Sequence, residues 1–310
     1  MKKRKLAWFA LIACAGLASV EVAARVSGIA DVPLYNVDNE IGYIPKPNQS
    51  GAFLNRNDWV FNERSMGARS FAPDGRTNIL LLGDSIVYGG DAYRQREKLG
   101  PCLERGLQGN YAVWPVGAGH WGALNEITYL QRNADLLDRM NTLVWVLISV
   151  DFERRVQSWS ALIHPQKPPL LASAFGLRRF ILPGLHLIPD PAWVPAPQEQ
   201  HVAIDAQLPV FDKYVASLKA THPALRMLLV LYPNAYEFTH PEDVPAQTIT
   251  RELRGISTRL GIDFLRVAED SRWQIANYRD SIHPTVEGNV ALAALLKEWL
   301  ESAPPARAGG

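Results

Sequence analysis

Five apolar runs separated by amphipathic stretches restrict this chain more than any other feature. They read "NILLLG" at 78–83, "YAVWPV" at 111–116, "TLVWVLIS" at 142–149, "RMLLVLY" at 226–232 and a weaker "IDFLRV" at 262–267. Runs this continuous suit strands covered on both faces, which means a parallel sheet between helices. The intervening stretches fit crossover helices. The last of them, "TVEGNVALAALLKEWL", follows Pro284 and puts Leu292, Leu295, Leu296 and Trp299 on one face. The pattern predicts a doubly wound α/β domain over 78–303.

With 310 residues, 47% of them hydrophobic, the chain can bury a large core without metal or disulfide. Lys and Arg total 32 against 31 Asp and Glu. This balance lacks the basic excess that attracts nucleic acid, and no nucleic-acid partner is expected.

Residues 28–77 are polar and turn-rich, with Pro33, Pro45 and Pro47, and read as an irregular lead-in packed on the domain. Residues 156–204 carry many prolines, two tryptophans and little charge. A segment this long without periodicity reads as a cap over the site or a membrane-facing flap, the plain alternative being a surface insertion. Residues 304–310 read as a flexible tail.

The first residues differ in kind. "MKKRK" precedes the uncharged run Leu6 to Val20, the pattern of an export signal or membrane anchor within residues 1–27. With Glu21 and Arg25 snorkelling and Val22 to Ala24 buried, the run reaches the roughly 20 residues that a span requires. The first expectation is a retained inner-membrane anchor with a periplasmic domain. Two alternatives stay open: cleavage at the small residues Ala13 to Ala15, or a lipoprotein box, Leu11 to Cys14, with Cys14 acylated. The other cysteine is Cys102, so the exported part closes no internal disulfide.

Ser85, in "LLGDSIVYGG", lies where the first strand meets a helix N-terminus. There a hydroxyl faces solvent and backbone N–H groups receive developing negative charge. Near the C-terminus "DSIHP" sets Asp280 three residues before His283. In such a turn the carboxylate can hold one imidazole nitrogen while the other faces outward as a general base. Each element alone also makes an ordinary turn; together on a doubly wound pattern they support a triad.

"LLGDSIVYGG" and "DSIHPTVEGN" resemble the first and last blocks of the GDSL, or SGNH, hydrolase superfamily, over roughly 78–301. The resemblance implies a flavodoxin-like five-stranded parallel sheet with helices on both faces. It also implies Ser85 as nucleophile, His283 as base and Asp280 as its orienting partner. "NEIGYIPKPNQSGAF" and "NERSMGARS" further resemble membrane-anchored bacterial members whose genes often lie with cell-surface polysaccharide functions. The family's oxyanion-hole glycine matches Gly122 in "VGAGHWGALNE", with Gly119 as the alternative, beside the backbone N–H of Ser85. Its oxyanion asparagine is missing. "ISVDFERR" has Val150 at that position and Asp151 after it, so Asn125 or another side chain would have to substitute. His120, Trp121, Asn125, Asp151 and Asn234 are the further candidates for a substrate rim.

No cluster of His, Cys, Asp and Glu has metal-ligand spacing and no Gly-rich phosphate loop follows a strand, so neither metal nor cofactor is expected. The leading function is an envelope serine esterase or acyltransferase, acting on a carbohydrate or lipid ester through an acyl-serine. The alternative is a non-catalytic carbohydrate-binding or assembly protein on the same scaffold. The sequence does not define an oligomeric state.

Overall fold

The five apolar runs pair in parallel as one sheet in the computed structural model, which describes residues 2–155, 159–191, 200–201 and 204–302. The strands are β1 (Thr77–Leu82), β2 (Tyr111–Val116), β3 (Thr142–Leu147), β4 (Arg226–Leu231) and β5 (Asp263–Arg266), in the order β2-β1-β3-β4-β5. β1 lies between its two successors: Ile79 is opposite Val113 of β2 and Thr142 of β3. Leaving to opposite sides, β2 and β3 open a crevice at the carboxyl end of β1, the usual ligand position in such sheets.

Alternation along the strands explains the layers. Leu80, Leu82, Trp145 and Leu147 join one apolar cluster, while Ile79, Leu81, Val144 and Val146 join the other. Every residue of β3 is buried, as a central strand covered on both faces requires. The first cluster is completed by helices α3 (Ala123–Arg132), α4 (Ile204–Thr221) and α5 (Val244–Leu260), which contribute Ile127, Phe211 and Ile249. Helices α2 (Leu99–Leu107) and α6 (Val286–Ser302) cover the other face through Leu103, Leu292, Leu295 and Leu296. Trp299 is only partly buried at the end of that stripe. α5 shows how the chain punctuates its helices. Asp243 accepts from the Ala246 amide, Pro245 sits in the first turn, and Gly261 ends the helix with φ 61°.

Preceding them all, α1 (Lys2–Val26) is continuous, and its Lys3–Val26 portion is long and apolar enough to cross a membrane, a test that a signal sequence also passes. The lead-in is more regular than expected. It holds two antiparallel hairpins, Tyr35–Asp38 with Gly42–Pro45 and Gln49–Phe53 with Asn57–Phe61. Their four- and five-residue strands are too short to register as alternation between so many turn residues. Within 159–191, the short helix Ala172–Gly176 packs on α1 and, through Phe175, on Val32 and Phe53 of the lead-in, and a further helical turn follows at Leu182–Gly184. The rest of the expected insertion, at 156–158, 192–199 and 202–203, lies outside the described residues, as does the 304–310 tail.

Candidate active site

The turn that delivers Ser85 is clasped from both sides. A Cβ on Gly83 would stand 2.8 Å from the Val146 carbonyl oxygen of β3, and one on Gly117 would stand 2.5 Å from the Gly83 oxygen. Glycine at both positions therefore lets the flanking strands close on the end of β1. Asp84 then caps the single helical turn Ser85–Tyr88, its Oδ1 accepting from the Ile86 amide at 2.8 Å. The half-buried Ser85 hydroxyl emerges at the head of that turn, where the first N–H groups have no intrahelical acceptor.

His283 reaches it from the segment before α6. Its Nε2 lies 3.1 Å from Ser85 Oγ, and its Nδ1 lies 3.0 Å from both carboxylate oxygens of Asp280. Since a carboxylate only accepts, Nδ1 carries the proton in the neutral ring and Nε2 presents a lone pair to the serine hydroxyl. Asp280 Oδ1 also accepts from the Ile282 and His283 amides, at 3.0 and 2.8 Å. Burial alone would raise the Asp280 carboxyl. The His283 side chain and these two amides overcome it and hold the group well below the usual carboxylate range. Arg279 pairs with the outer oxygen at 3.1 Å.

Two tyrosines that the sequence did not suggest hold this turn in place. Tyr232 Oη donates to the Ile282 carbonyl at 2.8 Å, and Tyr93 Oη donates to the Pro284 carbonyl. The Ala235 amide adds a bond to the Ser281 carbonyl at 2.9 Å. A tyrosine that anchors a backbone carbonyl has no sequence signature beyond an aromatic at a strand end or loop.

A buried acid lies behind the nucleophile turn. Glu126 is fully buried on α3; Trp145 Nε1 donates to its Oε2 at 2.5 Å, and its Oε1 has no partner among the described residues. Burial, with Asp84 adding to it, raises the Glu126 carboxyl well above the usual range. Burial also raises Asp84. The two acids influence each other, and burial opposes the charged form of each.

The expected oxyanion glycine and several rim candidates are engaged within the protein itself. The Gly122 amide donates to Asn125 Oδ1 at 3.0 Å inside the α3 cap, which turns it from the oxyanion role expected of it. Asn125 is fully buried and donates to the Ile41 carbonyl at 3.0 Å. Buried Trp121 donates to the Tyr43 carbonyl at 2.8 Å. These two side chains bind the lead-in to the loop after β2 and to the first turn of α3. Asp151 is buried and closes its own turn by accepting from the Ile148 amide at 2.8 Å. Asn234 caps the helix Ala235–Thr239, accepting from the Glu237 amide at 2.9 Å. His120 is half-buried with φ 60°, next to Gly119, whose carbonyl accepts from Tyr43 Oη. The Gly119 amide donates to no protein acceptor among the described residues. Val150 lies in the turn Ser149–Phe152 after β3, partly buried against the apolar cluster.

Ser85, His283 and Asp280 together can move a proton from a hydroxyl as it attacks a carbonyl carbon and return it to a leaving group. Among the described residues, no group of three or more His, Cys, Asp or Glu is placed to hold a metal ion.

No protein-family model and no curated protein matches the chain. Solved structures do. It is similar to the aryl esterase of M. smegmatis, at 16% identity over 73% of this chain and 99% of that one, with a TM-score of 0.45. It is similar to a carbohydrate acetylesterase family member from Sinorhizobium meliloti, at 14% identity over 73% and 98%, TM-score 0.40. A member of the lipolytic protein G-D-S-L family from Veillonella parvula shares 10% identity over 71% and 97%, TM-score 0.42. Of these solved structures, two are named as esterases and one as a member of the lipolytic protein G-D-S-L family.

Proposed function

We propose that this chain is a serine esterase of the SGNH type, acting on an ester of a carbohydrate or a lipid at the cell envelope. One observation carries the reading: Ser85 Oγ lies 3.1 Å from His283 Nε2 while Asp280 holds the other ring nitrogen. His283 takes the Ser85 proton as Oγ attacks the ester carbonyl. The tetrahedral oxyanion is received by the backbone N–H groups of Ser85 and, with Gly122 committed elsewhere, of Gly119. His283 then protonates the leaving alcohol, which leaves an acyl-serine. Water attacks that carbonyl, giving its proton to His283; the acyl–Oγ bond then breaks, His283 returns the proton to Ser85 Oγ, and the acid is released. A sugar hydroxyl in place of water turns the same steps into acyl transfer.

α1 supports an envelope location. As a spanning helix it leaves Lys2 to Lys5 on the cytoplasmic side and the domain in the periplasm. The test of the activity is labelling by a fluorophosphonate and cleavage of an activated acetyl ester, both abolished in Ser85→Ala. Neither reaction in the folded wild-type protein would instead support a non-catalytic binding role, the reading that Val150 favours by offering no donor to the oxyanion.

A further inference from the structure

Glu21 lies one residue past the uncharged stretch of α1 that begins at Leu6. At 1.5 Å per residue, Leu6 to Val20 covers about 22 Å, short of the roughly 30 Å hydrocarbon core. A bilayer spanned by α1 therefore extends to the level of Glu21 and the turn after it. A carboxylate at that depth needs partners. Glu21 has them: its oxygens accept from the Ala172 amide at 2.9 Å, the Ser173 amide at 3.0 Å and the Ser173 hydroxyl at 2.7 Å. One turn later Arg25 donates to the Leu170 carbonyl at 2.6 Å and pairs with Glu21 at 2.7 Å. Gly176 then packs so close to Ile29 that a Cβ would stand 2.7 Å from its Cδ1. Residues 170–176 are thereby fixed at the height where α1 leaves the membrane.

The segment has two unlike sides. On the inner side Phe175 and Phe180 pack with Ile29, Val32 and Phe53. On the outer side Leu170, Leu171, Leu177, Ile181, Leu185 and Leu187 are exposed, Leu170 by 87% and Leu187 by 68%. Arg178 is exposed beside them, a cation suited to lipid phosphate. We propose that residues 170–188 seat on the bilayer that α1 crosses, with these apolar side chains entering the boundary between headgroups and acyl chains. The inference rests on the reading of α1 as a retained span. Its partner is a phospholipid surface, chosen because the apolar side chains continue the exposed surface of α1 and are tied to it at Glu21 and Arg25.

The seat is also tied to the chain just after the nucleophile turn. Arg179 donates to the Leu162 and Ile163 carbonyls and lies 3.6 Å from Asp91, a few residues beyond the Ser85–Tyr88 turn. Seating would set the nucleophile at a constant height above the lipid.

The test uses the full chain in nanodiscs of phosphatidylethanolamine and phosphatidylglycerol, in a Cys14→Ser background. Nitroxides at Leu11→Cys, Leu171→Cys, Ile181→Cys and Leu187→Cys are compared with one at Glu301→Cys. Glu301 stands at the amino end of the parallel strands, away from Ser85: Arg226, the first residue of β4, donates to the carbonyl of the adjacent Leu300. The expected result is oxygen accessibility, relative to a water-soluble nickel chelate, several times higher at Leu171, Ile181 and Leu187 than at Glu301. A lipid-buried Leu11 label with nickel-accessible labels at the other three sites overturns the seat and leaves the span standing. A water-exposed Leu11 label overturns both.

Discussion

Asp280 holds His283 at two points, accepting from its backbone amide at 2.8 Å and facing its Nδ1 at 3.0 Å. The same carboxylate thus fixes the ring's position and its tautomer. Asp280→Asn keeps the shape but offers an amide that can turn an N–H toward the ring. The expected loss in kcat is about 1,000- to 10,000-fold with little change in KM, by analogy with other triads. A turnover within a few-fold of wild type on an activated ester would remove Asp280 from the mechanism.

The depressed Asp280 carboxyl has a second consequence. A carboxyl lowered in the fold binds fewer protons there than in the unfolded chain. Its contribution is complete above the ordinary carboxylate range and is lost as pH falls through the lower folded value. Acid unfolding of Asp280→Asn should therefore start from a lower stability at neutral pH and show a shallower decline below about pH 4. Because the side chain is 40% exposed, solvent reduces the size of the effect but leaves its sign.

Glu126 predicts the opposite slope. Raised by burial, it binds more protons folded than unfolded, so stability falls as pH rises from the ordinary glutamate value toward the raised one. Glu126→Gln mimics the neutral acid and keeps an acceptor for Trp145. Thermal melts of this variant should lose part of that decline and exceed wild type at alkaline pH. Parallel melting curves at all pH values would show that Glu126 is not held neutral.

Asn125 separates a structural role from a substrate role. Asn125→Ala leaves the Gly122 amide without its acceptor and the Ile41 carbonyl with the Tyr43 amide alone, a loss of about 1–3 kcal/mol for a buried polar group. The melting temperature should fall by several degrees while KM for a small ester stays near wild type. A raised KM at unchanged stability would return Asn125 to the substrate rim.

Val150 tests the oxyanion. Val150→Asn adds a neutral donor at the end of β3, and if it aims at the charge of the transition state, kcat rises about tenfold, or roughly 1.4 kcal/mol off the barrier, with KM little changed. Unchanged kcat in a variant that melts like wild type would mean that backbone amides alone fill the hole.

Much of this was legible in the sequence because it is local. The apolar runs of β1 to β4 declare their burial residue by residue, and "GDS" and "DSIHP" each encode a complete turn. The errors came from contacts across the chain. Nothing near Trp121 or Asn125 reveals that Tyr43 and Ile41, about eighty residues earlier, will cover them. Nothing near Tyr93 or Tyr232 reveals that their hydroxyls will fasten the histidine turn. Gly122 and Gly119 look alike in "GAGHWG", and only the engagement of one amide by Asn125 tells them apart.

The proposed nucleophile and its base are 198 residues apart in the chain. A ribosome therefore finishes the serine turn long before it makes the imidazole, and the pair can meet only once α6 has docked beside α2. Every shorter nascent form, and any product clipped ahead of Asp280, carries an ordinary serine. On the proposed mechanism, a chain still being threaded across a membrane attacks no ester on either side, and catalytic competence becomes a report of completed folding.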